Sequence, residues 1–148
     1  MNEMEELYRE IILDHNKRPR NFRKMEDCTH HADGHNPLCG DEIEVFVKIE
    51  DGRIADISFQ GEGCAISKSS ASLMTSALKG KTLEEAHREA GIVISMLTGK
   101  GATADVEELG DIAALQGVRQ FPARVKCATL SWHALEASLK GEAGTSTE

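Results

Sequence analysis

The sequence predicts an α+β fold, a small antiparallel β-sheet packed against several α-helices, and three observations lead there. Apolar and polar residues alternate over two adjoining strand-length stretches between 43 and 60. Segments with apolar residues at three- and four-residue spacing lie on both sides of them. The chain has 148 residues, one domain's worth, which can bury a single core without disulfide staples. Residues 1–140 are expected to form that single domain, and the Gly/Ala/Ser/Thr/Glu tail over 141–148 is expected to be disordered.

The elements follow in chain order. From Glu3 to about Asn16, Met4, Leu7, Ile11 and Ile12 mark one face of an amphipathic helix, bounded by Pro19. Lys17, Arg18, Arg20, Arg23 and Lys24 then form a local basic stretch, read either as a solvated loop or as a docking patch for an acidic partner. Ile43, Val45, Val47 and Ile49 alternate with Glu44, Phe46, Lys48 and Glu50, and Ala55, Ile57 and Phe59 alternate with Asp56, Ser58 and Gln60, so the two runs form a hairpin around Asp51-Gly52. A three-residue loop, Glu50-Asp51-Gly52, is expected, because it pairs 49 with 53, 47 with 55, 45 with 57 and 43 with 59 and keeps the apolar residues on one face. Cys64 to Leu78 reads as a helix rich in Ser and Ala, suited to close backbone packing. Thr82-Leu83-Glu84-Glu85 is a capping-box sequence that opens a second helix running to about Leu97. A short helix is expected from about Val106 to Leu115 with Asp105 as N-cap, and Pro122 opens a final helix through Leu139.

Composition narrows the function. Lys and Arg number 17 against 25 Asp and Glu, a net charge of −8, and aromatics make up 4%. Both the positive field and the stacking platform of a nucleic-acid binder are missing. No apolar run approaches the roughly 18 to 20 residues needed to cross a bilayer, and the acidic start, Met1-Asn2-Glu3-Met4-Glu5-Glu6, is unlike a signal peptide. A cytoplasmic protein without nucleic-acid or membrane partners is expected. In a reducing compartment the four cysteines, Cys28, Cys39, Cys64 and Cys127, point to metal or thiol chemistry. None forms a C-x-x-C pair, which excludes ordinary zinc ribbons and thioredoxin-like motifs.

Extending the expected hairpin pairing outward sets Asp41 opposite Gly61 and Cys39 opposite Gly63, beside Cys64. Gly40, Gly61 and Gly63 permit tight turns and leave room for an ion. Cys39, Asp41 and Cys64 thus form a three-ligand set. Cys127 completes it by elimination, on a helix side of small residues (Ser131, Ala134, Ser138) apart from the Val125/Trp132 stripe. Each of these residues has an ordinary structural alternative, a small buried thiol or a turn aspartate. A competing cluster for zinc or copper is Cys28, His30, His31, His35 and Cys39, although a surface run of histidines usually lacks fixed geometry. Three thiolates and a carboxylate suit tetrahedral Zn²⁺ or Fe²⁺ and leave the site at −2. Arg124, Lys126 and the amino end of the helix at Cys64 can compensate that charge. A carboxylate among thiolates suggests a ligand position meant to exchange, and a thiolate released there could attack the outer sulfur of a persulfide. The same set with iron could hold a labile iron-sulfur cluster.

At these residues the sequence resembles the U-type iron-sulfur cluster assembly proteins, IscU and SufU. The matching motifs are Asp14-His15 with Pro19-Arg20-Asn21, then Asn36-Pro37-Leu38-Cys39-Gly40-Asp41, then Gly61-Glu62-Gly63-Cys64-Ala65-Ile66-Ser67, and Arg124 through Trp132 around Cys127. Lys126 stands where IscU types carry a histidine ligand, and extra residues fall around 100–118. Both features are similar to the SufU branch and argue against a permanent scaffold role. The resemblance implies a SufE/IscU-like fold and a sulfur carrier more than a stand-alone enzyme. Cys39 would accept persulfide sulfur from a SufS-type cysteine desulfurase, freed from zinc as the desulfurase docks. Asp41, Cys64 and Cys127 would retain the zinc, Arg124 would neutralise the persulfide or guide docking, and downstream iron-sulfur assembly proteins would receive the sulfur. The alternatives are a scaffold that builds a 2Fe-2S or 4Fe-4S cluster on Cys39, Cys64 and Cys127, with Fe²⁺ as the bound metal, and a passive zinc-stabilised interaction module.

Overall fold

A computed structural model describes residues 3–99 and 106–146. Helix α1 (Glu3–Lys17) is followed by strands β1 (His30–Asn36), β2 (Asp41–Glu50) and β3 (Arg53–Glu62). Helices α2 (Ala65–Leu78) and α3 (Leu83–Thr98), a 3-10 segment (Val106–Val118), α4 (Pro122–Leu139) and a short strand β4 (Gly144–Ser146) complete the chain. The sheet order is β3-β2-β1-β4. Helix α4 crosses β1 and β2, α2 lies against β3 and α4, and α1 and α3 flank α2 and α4. The core between sheet and helices centres on Ile43, Val45, Val47, Ile57, Phe59, Met74, Leu130 and Trp132. No helix among the described residues is long and apolar enough to cross a membrane.

The hairpin corrects the expected register. Asp51 and Gly52 both have positive φ (52° and 74°), the signature of a two-residue type I′ turn, whose twist matches the flanking strands. Glu50 therefore pairs with Arg53 and Ile49 with Ile54. Ala55 then bulges out, so that Lys48 meets Asp56, Val47 meets Ile57 and Val45 meets Phe59. The bulge performs the task assigned to a longer loop and keeps the apolar residues on the core face. Beyond it the pairing is displaced by two residues from the expectation, with Ile43 opposite Gly61 and Glu42 opposite Glu62. Asp41, rather than Cys39, consequently lies at the Gly63–Cys64 end.

Two strands were absent from the sequence reading. The histidine run is β1, antiparallel to β2, with Ala32, Gly34 and Asn36 buried and His31, Asp33 and His35 exposed. Gly34 is needed because α4 lies close, and a Cβ there would stand 3.0 Å from Leu130 Cδ1 and 3.3 Å from the Ala134 Cβ. Gly144–Ser146, inside the segment expected to be disordered, pairs in parallel with Asp33–His35. The sheet is therefore mixed instead of purely antiparallel.

The helices follow the sequence signals more closely. Thr82 and Glu85 form a reciprocal capping box on α3. Serines make α2 polar yet buried, because their hydroxyls find partners across the packed helices. Ser69 Oγ donates to Ile12 O, and Ser70 Oγ donates to Ala128 O while accepting from Trp132 Nε1 at 3.0 Å. The expected short helix near 106–115 is a 3-10 segment reaching Val118 and broken at Gly110 (φ 59°, ψ −129°); its expected N-cap, Asp105, lies outside the described residues. Pro122 opens α4 as expected.

Candidate metal centre

Three chain segments meet at one end of the sheet. Asn36 ends β1, and a turn closed by Cys39 N donating to Asn36 O (3.3 Å), with Gly40 at φ 72°, carries Cys39 before β2 begins at Asp41. At the far side of the hairpin, β3 ends at Glu62 and Cys64 is the N-cap of α2. Cys127 approaches from the first turns of α4. The ligand atoms of Cys39, Asp41 and Cys127 lie within 4.8 Å of one another.

Asp41 organises the centre. It is fully buried, and its Oδ1 accepts from Cys64 N (2.8 Å) and Ser67 Oγ (3.3 Å). A carboxylate at the amino end of α2 meets free N–H groups and the positive end of the helix dipole. Asp41 Oδ2 accepts from Asn36 Nδ2 at 3.3 Å, and the same amide donates to Cys127 Sγ at 3.5 Å. Gly63 permits this packing, since a Cβ there would fall 2.7 Å from Asp41 Oδ1 and against Ser67 Oγ.

The sulfurs differ in access. Cys39 is exposed, Cys64 is half-buried with Sγ 3.8 Å from Ser67 Oγ, and Cys127 is buried. Burial, with Asp41, Cys39 and Cys64 facing it, pushes the Cys127 thiol far above the ordinary cysteine range. A cation among these donors reverses that preference, because a metal ligand must be the thiolate. The Cys39 and Cys127 thiols and the Asp41 carboxylate converge, with Cys64 at the rim of that group, and this donor chemistry fits a thiophilic divalent ion.

A family model described as the NifU-like N-terminal domain matches residues 7–128. The chain belongs to this family. Among NifU-like relatives it is 48% identical over 141 residues to the zinc-dependent sulfurtransferase SufU of Bacillus subtilis, covering 95% of each chain. It is 41% identical over 143 residues to the iron-sulfur cluster assembly scaffold protein IscU of Streptococcus pyogenes, covering 97% of this chain and 89% of the relative. A crystal structure from Fervidobacterium islandicum, described as an iron-sulfur cluster assembly scaffold for the SUF system, superposes with a TM-score of 0.83 at 35% identity, over 88% of this chain and 94% of that one. The family resemblance read from the cysteine motifs is borne out, as is the α+β fold it implied.

Within this NifU-like domain, the structure brings the ligand atoms of Cys39, Asp41 and Cys127 within 4.8 Å of one another, while Cys64 stands outside that group and is tied to it through its backbone N–H on Asp41. Cys28 and His30 lie at the other end of β1, and His31 and His35 project from its exposed face, so the competing Cys/His cluster does not assemble around Cys39. Arg124, one turn before Cys127, extends its guanidinium over the Phe121 ring at 5.0 Å, and Lys126 is half-buried beside it. In the basic stretch, Arg18 and Arg20 pair with Asp14, and Arg23 pairs with Asp56. Asn36 and Ser67 had no assigned role in the sequence reading. Both stand inside the cysteine motifs, but only the fold reveals that their side chains bind Asp41.

Proposed function

We propose that this NifU-like domain is a zinc-binding sulfur acceptor in iron-sulfur cluster assembly. It takes persulfide sulfur from a SufS-type cysteine desulfurase and passes it to downstream assembly proteins. The observation that carries the reading is the gradient of access among converging donors, with Cys39 exposed on a turn while Asp41 and Cys127 are buried beneath it. Cys39, Asp41, Cys64 and Cys127 would hold the metal. A zinc ion bound there supplies stabilisation of the thiolates at neutral pH.

In the transfer, Cys39 Sγ attacks the outer sulfur of the desulfurase persulfide as a thiolate. A new S–S bond forms on Cys39, the donor S–S bond breaks, and the donor cysteine leaves as a thiolate and recovers the proton that Cys39 gave up. Nothing is oxidised or reduced overall. Arg124 and the amino end of α2 offset the negative charge gathered at the site. The reading assigns the work to the cytoplasm, where thiols stay reduced, in keeping with four free cysteines. The NifU-like relatives named as a zinc-dependent sulfurtransferase and as scaffolds support sulfur transfer and cluster assembly respectively. The carboxylate in the donor set favours a labile cluster as the second reading, with iron and sulfide as cargo.

Metal analysis of protein purified without added metal, followed by a desulfurase assay, tests the choice. Zinc near one equivalent, with stimulation lost in Cys39→Ala, is the expected result. Undiminished stimulation by Cys39→Ala overturns the acceptor role, and a brown protein with cluster absorbance supports the second reading instead.

A further inference from the structure

The outer face of the sheet carries a cluster that the thiolate centre does not use. Strands β1 and β2 are the two interior strands, and their register sets Asp33 directly opposite Glu44 and His31 opposite Phe46. Two like charges directly opposite on a sheet are unfavourable. Here His31 Nε2 reaches both, 3.2 Å from Asp33 Oδ1 and 3.2 Å from Glu44 Oε2. One imidazole nitrogen has a single proton to share between two carboxylates. A cation in place of that proton would engage all three groups, and their ligand atoms lie within 4.8 Å of one another.

The donors are also held in place from behind. The His31 ring stacks on the buried Phe46 ring, with centroids 4.9 Å apart and planes 22° from parallel. Gln60 Nε2 donates to Glu44 Oε1 at 3.1 Å, leaving Oε2 for His31. Outer partners that orient a ligating imidazole and carboxylate are characteristic of metal sites. His35, Glu42 and Glu62 line the adjoining cleft and add further donors and negative charge.

We propose that His31, Asp33 and Glu44 form a second, exchangeable site for a divalent first-row transition ion on the outer face of β1 and β2. One imidazole and two carboxylates suit Fe²⁺, Zn²⁺ or Mn²⁺, whereas thiolates select softer partners. The site stands independently of the sulfur-acceptor reading, since none of its ligands belongs to the thiolate centre and it occupies the opposite face of the sheet.

Mn²⁺ is the probe, because its preference for oxygen donors keeps it from competing for thiolates. In a titration of ¹⁵N-labelled protein carrying a single equivalent of zinc, which the thiolates take first, paramagnetic broadening is expected first at residues 30–34 and 43–45. His31→Ala and Glu44→Gln, both at exposed or half-exposed positions, each weaken binding by roughly tenfold or more, while Glu3→Gln in the acidic first turn of α1 leaves it unchanged. The proposal is overturned if no residues broaden, if broadening spreads equally over α1, or if His31→Ala and Glu44→Gln both bind Mn²⁺ as well as the parent.

Discussion

Gly63→Ala tests whether the packing behind Asp41 builds the metal centre. The added Cβ would stand 2.7 Å from Asp41 Oδ1 and press on Ser67 Oγ, separations that real Cβ atoms do not tolerate. The flexible solution is rotation of the Asp41 carboxylate, which abandons its 2.8 Å bond from Cys64 N. Losing a hydrogen bond to a charged acceptor costs about 1.5–3 kcal/mol, and residual crowding in a well-packed site adds about 1–3 kcal/mol. A loss of about 2.5–6 kcal/mol is therefore expected in urea denaturation with chelator present. Zinc affinity, read by competition with a chromophoric chelator, should fall by roughly tenfold or more. Gly52→Ala is the control, since Gly52 has φ 74° but nothing within 4 Å of an added Cβ. It should lose about 1–2 kcal/mol to backbone strain alone and bind zinc normally. The reasoning is refuted if Gly63→Ala unfolds with the parent's stability and holds zinc equally well.

Thr82→Ala removes one half of the α3 capping box and should cost about 1 kcal/mol in thermal or urea unfolding, with zinc binding unaffected. Ser70→Ala strands the Trp132 indole N–H and removes the added bond to the Ala128 carbonyl, so a loss of about 1–3 kcal/mol is expected, accompanied by a change in Trp132 fluorescence. Ser72 Oγ accepts from Arg20 N and stands 2.7 Å from His15 Nδ1, which ties the buried imidazole to α2. Burial holds the His15 pKa below its ordinary 6.5. The unfolded chain therefore takes up a proton before the folded one does. Stability attributable to His15 is complete above pH 6.5 and declines as pH falls through the window below it. His15→Gln should remove up to about 1.4 kcal/mol per pH unit of that slope, and an unchanged pH profile would count against the assignment. Adding free zinc at about a thousandfold excess over Kd should stabilise the parent by about 4 kcal/mol, an increment that Cys127→Ser should lose.

How much of the fold was legible depended on where burial left a chemical trace. The hairpin announced itself because its core face is Ile, Val and Phe, and α3 because its capping box is a local signal. Strand β1 was hidden, since its buried face is Ala32, Gly34 and Asn36. Those residues are buried by the close approach of Leu130 and Ala134 on α4, a tertiary fact without a hydrophobic pattern in β1 itself. Strand β4 has no core residues and rests on backbone pairing to β1. The 3-10 segment departs from the expected helix at Gly110, whose ψ of −129° breaks the helical path.

The change of register leaves Asp41 on the core face, because that face is set by alternation within β2 itself. The shorter turn and the bulge at Ala55 each displace the pairing by one residue, and the combined displacement of two leaves the apolar residues of β3 on the same face as those of β2. Asp41, two residues before the buried Ile43, is on the inner face in either register, and the displaced pairing sets it beside the amino end of α2. A displacement of one would have turned Ile57 and Phe59 away from the core while leaving Asp41 on the inner face. What could not be read locally was how unequal the donors are. Asp41 is tied to Asn36, Cys64 and Ser67, and Cys127 sits under the same Asn36 amide, whereas Cys39 rides an exposed turn behind Gly40. Moving the buried donors disturbs a hydrogen-bonded core, but Cys39 can move by bending a turn. That difference in mechanical cost is the physical ground on which the proposed sulfur acceptance falls to Cys39 rather than to Asp41 or Cys127.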